Sequence, residues 1–110
     1  SGSAVPRGSA SQILTVMAPE LGKLGHDVII EGHTDSAKFT NSEQYSNWEL
    51  SADRANAARR ILEQQGLPDK LVASVRGHAD QLLRYRDKPF DARNRRISIV
   101  VQNPIEGSRL

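Results

Sequence analysis

The sequence has no cysteine, few aromatic residues and no long apolar run. Without cysteine, the chain forms no disulfide and has neither a thiol nucleophile nor a thiolate metal ligand. Its apolar runs are far shorter than the roughly 20 residues that an α-helix needs to cross a bilayer. Disulfide-stabilised, thiol-dependent and membrane-embedded proteins are therefore excluded as classes for these residues.

Neither positive nor negative charge predominates in the sequence. Fifteen Lys and Arg residues face thirteen Asp and Glu residues, and the net charge of +2 is too small for bulk electrostatics to specify a polyanionic partner. The 110 residues, of which 37% are apolar, match one small domain with a modest core. Because no signal-like segment begins the chain, we expect any export signal or membrane anchor to lie upstream.

The predicted domain covers residues 11–102, between a linker or loop at 1–10 and a tail at 103–110. The first ten residues are small, polar and interrupted by Gly and Pro, as is typical of loops. They are either native sequence or the remnant of a protease-cleavage linker, which Val5-Pro6-Arg7-Gly8-Ser9 resembles.

Apolar spacing predicts two helices. The first covers residues 11–24, with a bend expected at Pro19. Its apolar face consists of Ile13, Met17, Leu21 and Leu24. The second covers residues 47–65 and has an apolar stripe on one side and charged residues on the other. Gly25 and Gly66 follow these helices as C-terminal stops.

Runs rich in β-branched and aliphatic residues predict three strands. They cover residues 28–34, 71–76 and 96–101, with a loop at 36–46 and a short helix through Gln81-Leu82-Leu83. Alternating helices and strands predict an α/β fold, a two-layer sandwich with the helices on one face of a small mixed sheet. Three strands are few for a stable sheet, so we expect a first strand upstream.

Arg54 is unusual because it falls inside the apolar stripe of the second predicted helix, together with Asn47. A guanidinium there must reach water or a carboxylate, since an unpaired buried charge costs several kcal/mol. Two interpretations follow. Arg54 either forms a structural salt bridge with an internal Asp or Glu, or it binds the carboxylate of a ligand in bidentate geometry.

Polar residues end the first predicted strand. Because side chains alternate along a strand, we expect Glu31, His33 and Asp35 on one face. Ligands of α/β folds usually bind in loops after strands, which makes Asp35 a candidate, although Thr34 and Asp35 could equally end the strand by bonding nearby backbone. A metal site from His33, Asp35 and His78 has no recognisable spacing, so we predict no metal ligands and no cofactor.

No catalytic residues can be assigned from the sequence, and we predict that the protein is not an enzyme. The serines lie in no Gly-x-Ser-x-Gly elbow, and no glycine-rich phosphate loop is present. Seven basic residues from position 76 to position 96, near Tyr85 and Phe90, leave nucleic-acid binding as an alternative. Such a stretch is more often solvated surface.

Three blocks of sequence together resemble the OmpA-like peptidoglycan-binding domain. They are Val28-Ile29-Ile30-Glu31-Gly32-His33-Thr34-Asp35, Asn47-Trp48-Glu49-Leu50-Ser51-Ala52-Asp53-Arg54-Ala55 and Asn94-Arg95-Arg96-Ile97, in the family's order. Residues 45–57 are most similar to the flagellar stator branch of that family. The family's usual first strand has no counterpart here.

The resemblance implies a peptidoglycan site. Asp35 would bind the ammonium group of diaminopimelate in the stem peptide, and Arg54 would bind its carboxylate. The groove would be lined by Thr34, Asn47, Leu50, Arg95 and Arg96. The motif does not say which of the two arginines faces the ligand.

The implied function is non-catalytic anchoring of a flagellar motor stator to the cell wall, in the periplasm, by a protein held in the inner membrane through a segment outside this sequence. The implied partners are peptidoglycan, a second copy in a homodimer and the stator's channel subunit, but no nucleic acid. Alternatives are a wall anchor of a non-flagellar envelope protein, a metal-dependent wall hydrolase using His33 and Asp35, and a nucleic-acid-binding module.

Overall fold

The computed structural model describes residues 9–38 and 45–103. The elements are helix α1 at Ser9–Leu24, strand β1 at Val28–His33, helix α2 at Asn47–Gln64, strand β2 at Val72–Gly77 and strand β3 at Arg96–Val101. The predicted linker before residue 9, the centre of the predicted 36–46 loop and the tail from residue 104 lie outside the described residues.

Strand β1 lies at the centre of the sheet, between β2 and β3. It pairs in parallel with β2 and antiparallel with β3, so the sheet is mixed. Helix α2 packs on β1 and β2, and α1 packs on α2 over the same apolar core. The predicted α/β sandwich of helices against a small mixed sheet is therefore confirmed.

A capping box begins helix α2. The Oγ of Ser46 accepts a hydrogen bond from the backbone N–H of Trp48, and the backbone N–H of Ser46 donates to Oε1 of Glu49 at 2.8 Å. The predicted apolar stripe is confirmed along this helix. Its buried members include Leu50, Ala57, Ala58 and Leu62.

Helix α1 differs from the prediction in its start and in its buried face. It begins at Ser9 and continues across Pro19, so the last residues of the predicted linker are helical. The residues that it buries are Leu14, Ala18 and Leu21. Ile13 and Leu24, predicted for the core, are 57% and 52% exposed. The other two predicted residues are at the core, since Leu21 is buried and Met17 packs against it. Two overlapping sets of apolar residues have helical spacing here, and packing selects Leu14 and Ala18 over Ile13 and Leu24.

Helix α2 crosses the sheet at two glycines. A Cβ on Gly32 would lie 2.0 Å from the carbonyl oxygen of Ser51, and one on Gly77 would lie 2.5 Å from the nitrogen of Ala52. Only glycine permits this approach. The Oγ of Ser51 also accepts a hydrogen bond from the N–H of Ala79, just after β2. These contacts hold the N-terminal half of α2 over the carboxyl ends of β1 and β2.

The segment between β2 and β3 contains no helix at residues 81–83, where one was predicted. Gln81 and Leu82 form a turn, and Leu83 has no regular structure. The buried amide of Asn94 organises the segment instead. Its Oδ1 accepts from the N–H of Tyr85 at 2.8 Å, and its Nδ2 donates to the carbonyl of Lys88 at 2.9 Å. Side-chain bonding to backbone thus replaces helical bonding and fixes the approach to β3.

The strand ends differ slightly from the prediction. Strand β1 stops at His33, one residue early, and β2 starts at Val72, because Leu71 belongs to a one-turn 3₁₀ helix. Strand β3 has its predicted bounds. Among the described residues, no helix has both the length and the apolar character required to cross a membrane.

Candidate ligand-binding site

Asp35 is a buried carboxylate two residues after the end of β1, with 5% of its surface exposed. Its Oδ1 accepts a hydrogen bond from the backbone N–H of Ala37 at 3.0 Å. Its Oδ2 accepts one from Nη1 of Arg95 at 3.0 Å. These two bonds fix the carboxylate at the carboxyl end of the central strand, where α/β folds commonly bind ligands.

Arg54 lies half-buried on α2, close enough to interact electrostatically with Asp35 and Arg95. Burial first, and then the positive charge of Arg95, lower the pKa of Arg54, whereas Asp35 raises it. Among the described residues, the site thus brings together the carboxylate of Asp35 and the guanidinium groups of Arg54 and Arg95. Asp35 is an internal carboxylate of the kind that a structural salt bridge with Arg54 requires, and the guanidinium groups are also suited to binding an anionic group of a ligand.

Thr34 and Asn47 hold the loop that carries Asp35. Nδ2 of Asn47 donates to the carbonyl of Ala37 at 2.9 Å, while the backbone N–H of Ala37 donates to Asp35. Oγ1 of Thr34 donates to the carbonyl of Asp35 at 2.9 Å. Thr34 and Leu50 are only 2% and 3% exposed, so they contribute to the site by packing and do not present a surface to solvent.

Arg95 and Arg96 have different surroundings in the structure. Arg96 lies opposite His33 in the antiparallel ladder, and opposed residues project to the same face of a sheet. Its Nη2 donates to the carbonyl of Leu82 at 2.9 Å. Arg95 instead contacts Asp35. Of the two arginines, Arg95 is thus part of the site and Arg96 is outside it.

Asp35 does not share a face with Glu31 and His33, contrary to the prediction. Strand β1 ends at His33, so the alternation of side chains does not continue to Asp35. Glu31 and His33 instead lie beside His78, whose Nε2 is 3.1 Å from Oε2 of Glu31. His33 and His78, which were considered as metal ligands together with Asp35, thus lie beside Glu31 instead.

Tyr45 is a neighbour of the site that the sequence did not single out. Its Oη donates to Oδ2 of Asp53 at 2.6 Å, and its charge interacts with that of Arg54 when it ionises. Burial, followed by this hydrogen bond, raises the pKa of Tyr45 to about 12. The only sequence signal was its place at the start of the stator-like segment.

Comparison with known proteins gives a consistent result. The sequence profile of the OmpA family matches residues 2–96. Motility protein B of Escherichia coli strain K12 is 47% identical over 93 residues, which are 83% of this chain and 30% of that protein. The chain spans less than half of the length of the curated relatives it matches.

Two solved structures share the fold. The C-terminal domain of Helicobacter pylori MotB has a TM-score of 0.79 at 16% identity, covering 94% of this chain and 81% of that one. The cell wall anchor of the T6SS from Pseudomonas aeruginosa has a TM-score of 0.73 at 28% identity, covering 92% and 71% of the two chains.

Proposed function

The chain belongs to the OmpA family, and from that membership we propose that it binds peptidoglycan in the periplasm and anchors a flagellar motor stator to the cell wall. The 47% identity with Motility protein B favours a flagellar role over that of the T6SS wall anchor, whose identity is 28%. The domain is non-catalytic, as predicted, because OmpA-like domains and their MotB relatives are structural binding proteins. A wall hydrolase is thereby set aside.

The proposed ligand is the diaminopimelate side chain of the stem peptide. The observation that carries this proposal is the set of charges at the end of β1: buried Asp35, bonded to Arg95, beside half-buried Arg54. Diaminopimelate presents an ammonium and a carboxylate on one carbon. Asp35 would bind the ammonium and Arg54 the carboxylate, for which its planar guanidinium offers two parallel donors.

Sedimentation with purified peptidoglycan sacculi tests this proposal. The wild-type chain is expected to sediment with sacculi, and Arg54→Ala and Asp35→Asn are each expected to weaken binding about ten- to a hundredfold, because each removes a charge-assisted contact of roughly 1.5 to 3 kcal/mol. Arg60→Ala is the matched control, since Arg60 is an exposed arginine on the same helix. Wild-type binding by both site variants would contradict the assignment.

We also propose that the protein acts as a homodimer and assembles with the channel subunit of the stator, a MotA-like protein, through regions other than this domain. Val100 and Val101 on β3, an edge strand of the described sheet, are 41% and 39% exposed and support self-association. Analytical ultracentrifugation over a range of concentrations tests the dimer. Strictly monomeric behaviour, unchanged when the chain is extended upstream by one strand, would contradict it.

A further inference from the structure

Glu31, His33 and His78 form a cluster on the sheet face that also carries Arg96, separate from the site around Asp35. The parallel register pairs Gly32 with Gly77, so the next residues, His33 and His78, are brought side by side at the carboxyl ends of β1 and β2. Their rings stack with centroids 4.9 Å apart and an interplanar angle of 14°. Two imidazoles and a carboxylate thus converge from parts of the chain that are distant in sequence.

The buried imidazole of His33 makes no hydrogen bond within the part of the chain that the structure describes. His33 is 2% exposed, and within the described residues neither of its ring nitrogens has a hydrogen-bond partner. Buried polar atoms in this condition are rare and costly, because they lose water without replacement. Nε2 of His78 is likewise without a well-aligned hydrogen bond in this part of the chain, although it lies 3.1 Å from Glu31.

We propose that Glu31, His33 and His78 bind a divalent transition-metal ion such as zinc. The candidate ligand atoms all lie within 4.8 Å of one another. A tetrahedral zinc ion, with bonds of about 2.0 to 2.2 Å, needs its ligand atoms roughly 3.3 to 3.6 Å apart. The distances from Glu31 oxygens to Nε2 of His78 and Nε2 of His33, 3.1 and 3.9 Å, lie on either side of that spacing.

The chemistry of the cluster suits zinc and similar ions. Imidazole nitrogens with one carboxylate form a common donor set for zinc, which leaves a fourth position for water. The side chains of Glu31 and His78 are 16% and 22% exposed, so an ion and its water can reach the cluster from solvent.

Positively charged residues near the cluster disfavour a bound metal ion, and replacing one of them tests the proposal. Nη1 of Arg76 lies 3.9 Å from Oε2 of Glu31, and this exposed guanidinium competes with a metal for the carboxylate. Arg84 and Arg96 add positive charge near His33, so we expect the affinity to be well below that of a closed structural zinc site. Replacing Arg76 should therefore retain or tighten metal binding, whereas a merely structural cluster would bind no metal in either form.

Calorimetric titration of the chelator-treated 110-residue chain with zinc tests the proposal, with thermal melts as a second readout. We expect one zinc per chain and a melting temperature that rises with zinc concentration, since an ion that binds only the folded state stabilises it. Glu31→Gln and His78→Gln, at partly exposed positions that tolerate substitution better than His33, should each weaken binding at least about tenfold. Arg76→Gln should bind at least as tightly as wild type.

His26→Ala is the matched control, because His26 lies outside the cluster. No zinc binding, binding retained by both ligand variants, weaker binding by Arg76→Gln, or binding lost with His26 would overturn the proposal. Asp35→Asn should weaken sacculus binding while keeping zinc binding. The proposal of a metal site and the proposal of a peptidoglycan site can therefore be confirmed or contradicted independently.

Discussion

Asp35 and Arg95 form an ion pair, with Oδ2 and Nη1 at 3.0 Å, although they are 60 residues apart in sequence. Asp35 follows the central strand, and Arg95 immediately precedes the antiparallel strand beside it. The side chain of Asp35 is 7% exposed and that of Arg95 is 32% exposed, so water reaches the pair from the arginine side. A ligand ammonium that binds Asp35 would therefore arrive where Arg95 now donates.

The first prediction is that Arg95 stabilises the fold through Asp35. Arg95→Ala removes the only charge partner that bonds directly to this buried carboxylate in the described structure, and it should lower the free energy of unfolding by about 2 kcal/mol after discounting for the exposure of Arg95. Chemical denaturation of Arg95→Ala, Asp35→Asn and the double variant measures the coupling. The double variant should lose clearly less than the two single losses added together.

Arg86→Ala is the control for this cycle, since Arg86 is an exposed arginine in the segment before β3. It should leave the free energy of unfolding within about 0.5 kcal/mol of wild type. Strict additivity of the Asp35 and Arg95 substitutions would show that the observed contact contributes nothing.

The second prediction concerns the approach of α2 to the sheet. Gly32→Ala places a methyl group 2.0 Å from the carbonyl oxygen of Ser51, so α2 must shift or the strand must bend. The variant should lose about 3 kcal/mol or more of unfolding free energy and bind sacculi weakly, because the shift moves Arg54 relative to Asp35.

Gly25→Ala separates this clash from the general cost of replacing a glycine. Gly25 has a φ of +74°, and nothing lies within 4 Å of the place that an added methyl group would take, so only the left-handed backbone opposes alanine there, at about 1 to 2 kcal/mol. Its sacculus binding should match wild type. Equal losses of stability and binding in the two variants would show that the close contact with α2 is not what matters.

The third prediction is an alkaline titration of Tyr45. Its pKa is raised from 10.0 to about 12, chiefly by burial and then by the hydrogen bond to Asp53. Because the folded-state pKa exceeds the unfolded one, the associated stability is complete below pH 10.0 and is lost as the pH rises through about 12. The difference in tyrosinate absorbance between wild type and Tyr45→Phe should follow that late midpoint.

Asp53→Asn tests the second cause of the Tyr45 shift. It replaces the carboxylate that accepts the phenolic hydrogen, so the pKa of Tyr45 should fall part of the way back towards 10.0 while burial maintains the rest. Circular dichroism over the same pH range must show that the chain is still folded. A Tyr45 midpoint near 10.0 in the wild-type chain would contradict the observed contacts.

The local sequence pattern was sufficient to predict helix α2 and strand β3. Helix α2 has a long amphipathic stripe and a capping box, and both depend only on residues close in sequence. For α1 the apolar spacing predicted the helix, but it placed Ile13 and Leu24 at the core, where the structure has Leu14 and Ala18. Only the packing of α1 against α2 distinguishes the two faces, and packing is not a local property.

The sequence allowed the residues of the candidate site to be named, but their geometry could not be predicted from it. Asp35 and Arg54 followed from the family motif, whereas the choice of Arg95 over Arg96 depends on the register of β3 against β1. A shift of one residue would exchange the two arginines. The metal site that was considered and set aside combined Asp35 with His33 and His78, whereas the structure places Glu31 beside the two histidines. The parallel pairing of β1 with β2 and the end of β1 determine that arrangement, and neither is a local property of the sequence.

The last prediction concerns the chemistry of the ligand. If Asp35 binds an ammonium and Arg54 a carboxylate, the ligand must present both groups on one carbon. Diaminopimelate does so, whereas the lysine found at that position in other walls offers only an ammonium. Amidation of the diaminopimelate carboxylate keeps the size but removes the negative charge, which leaves a guanidinium facing a neutral amide. Calorimetry with soluble stem peptides should give affinities that decrease from diaminopimelate to amidated diaminopimelate to lysine.

Arg54→Ala provides the matched test of that order. Amidation should lower the affinity only if the guanidinium of Arg54 is present to bind the carboxylate. In this variant, the diaminopimelate peptide and its amidated form should bind about equally, since the difference between them belongs to the lost contact. Arg60→Ala should keep the wild-type order. Glycan strands stripped of peptide should hardly bind to any of these chains. If wild-type affinity is indifferent to amidation, or is retained on bare glycan, the ligand is held elsewhere and the roles proposed for Asp35 and Arg54 are wrong.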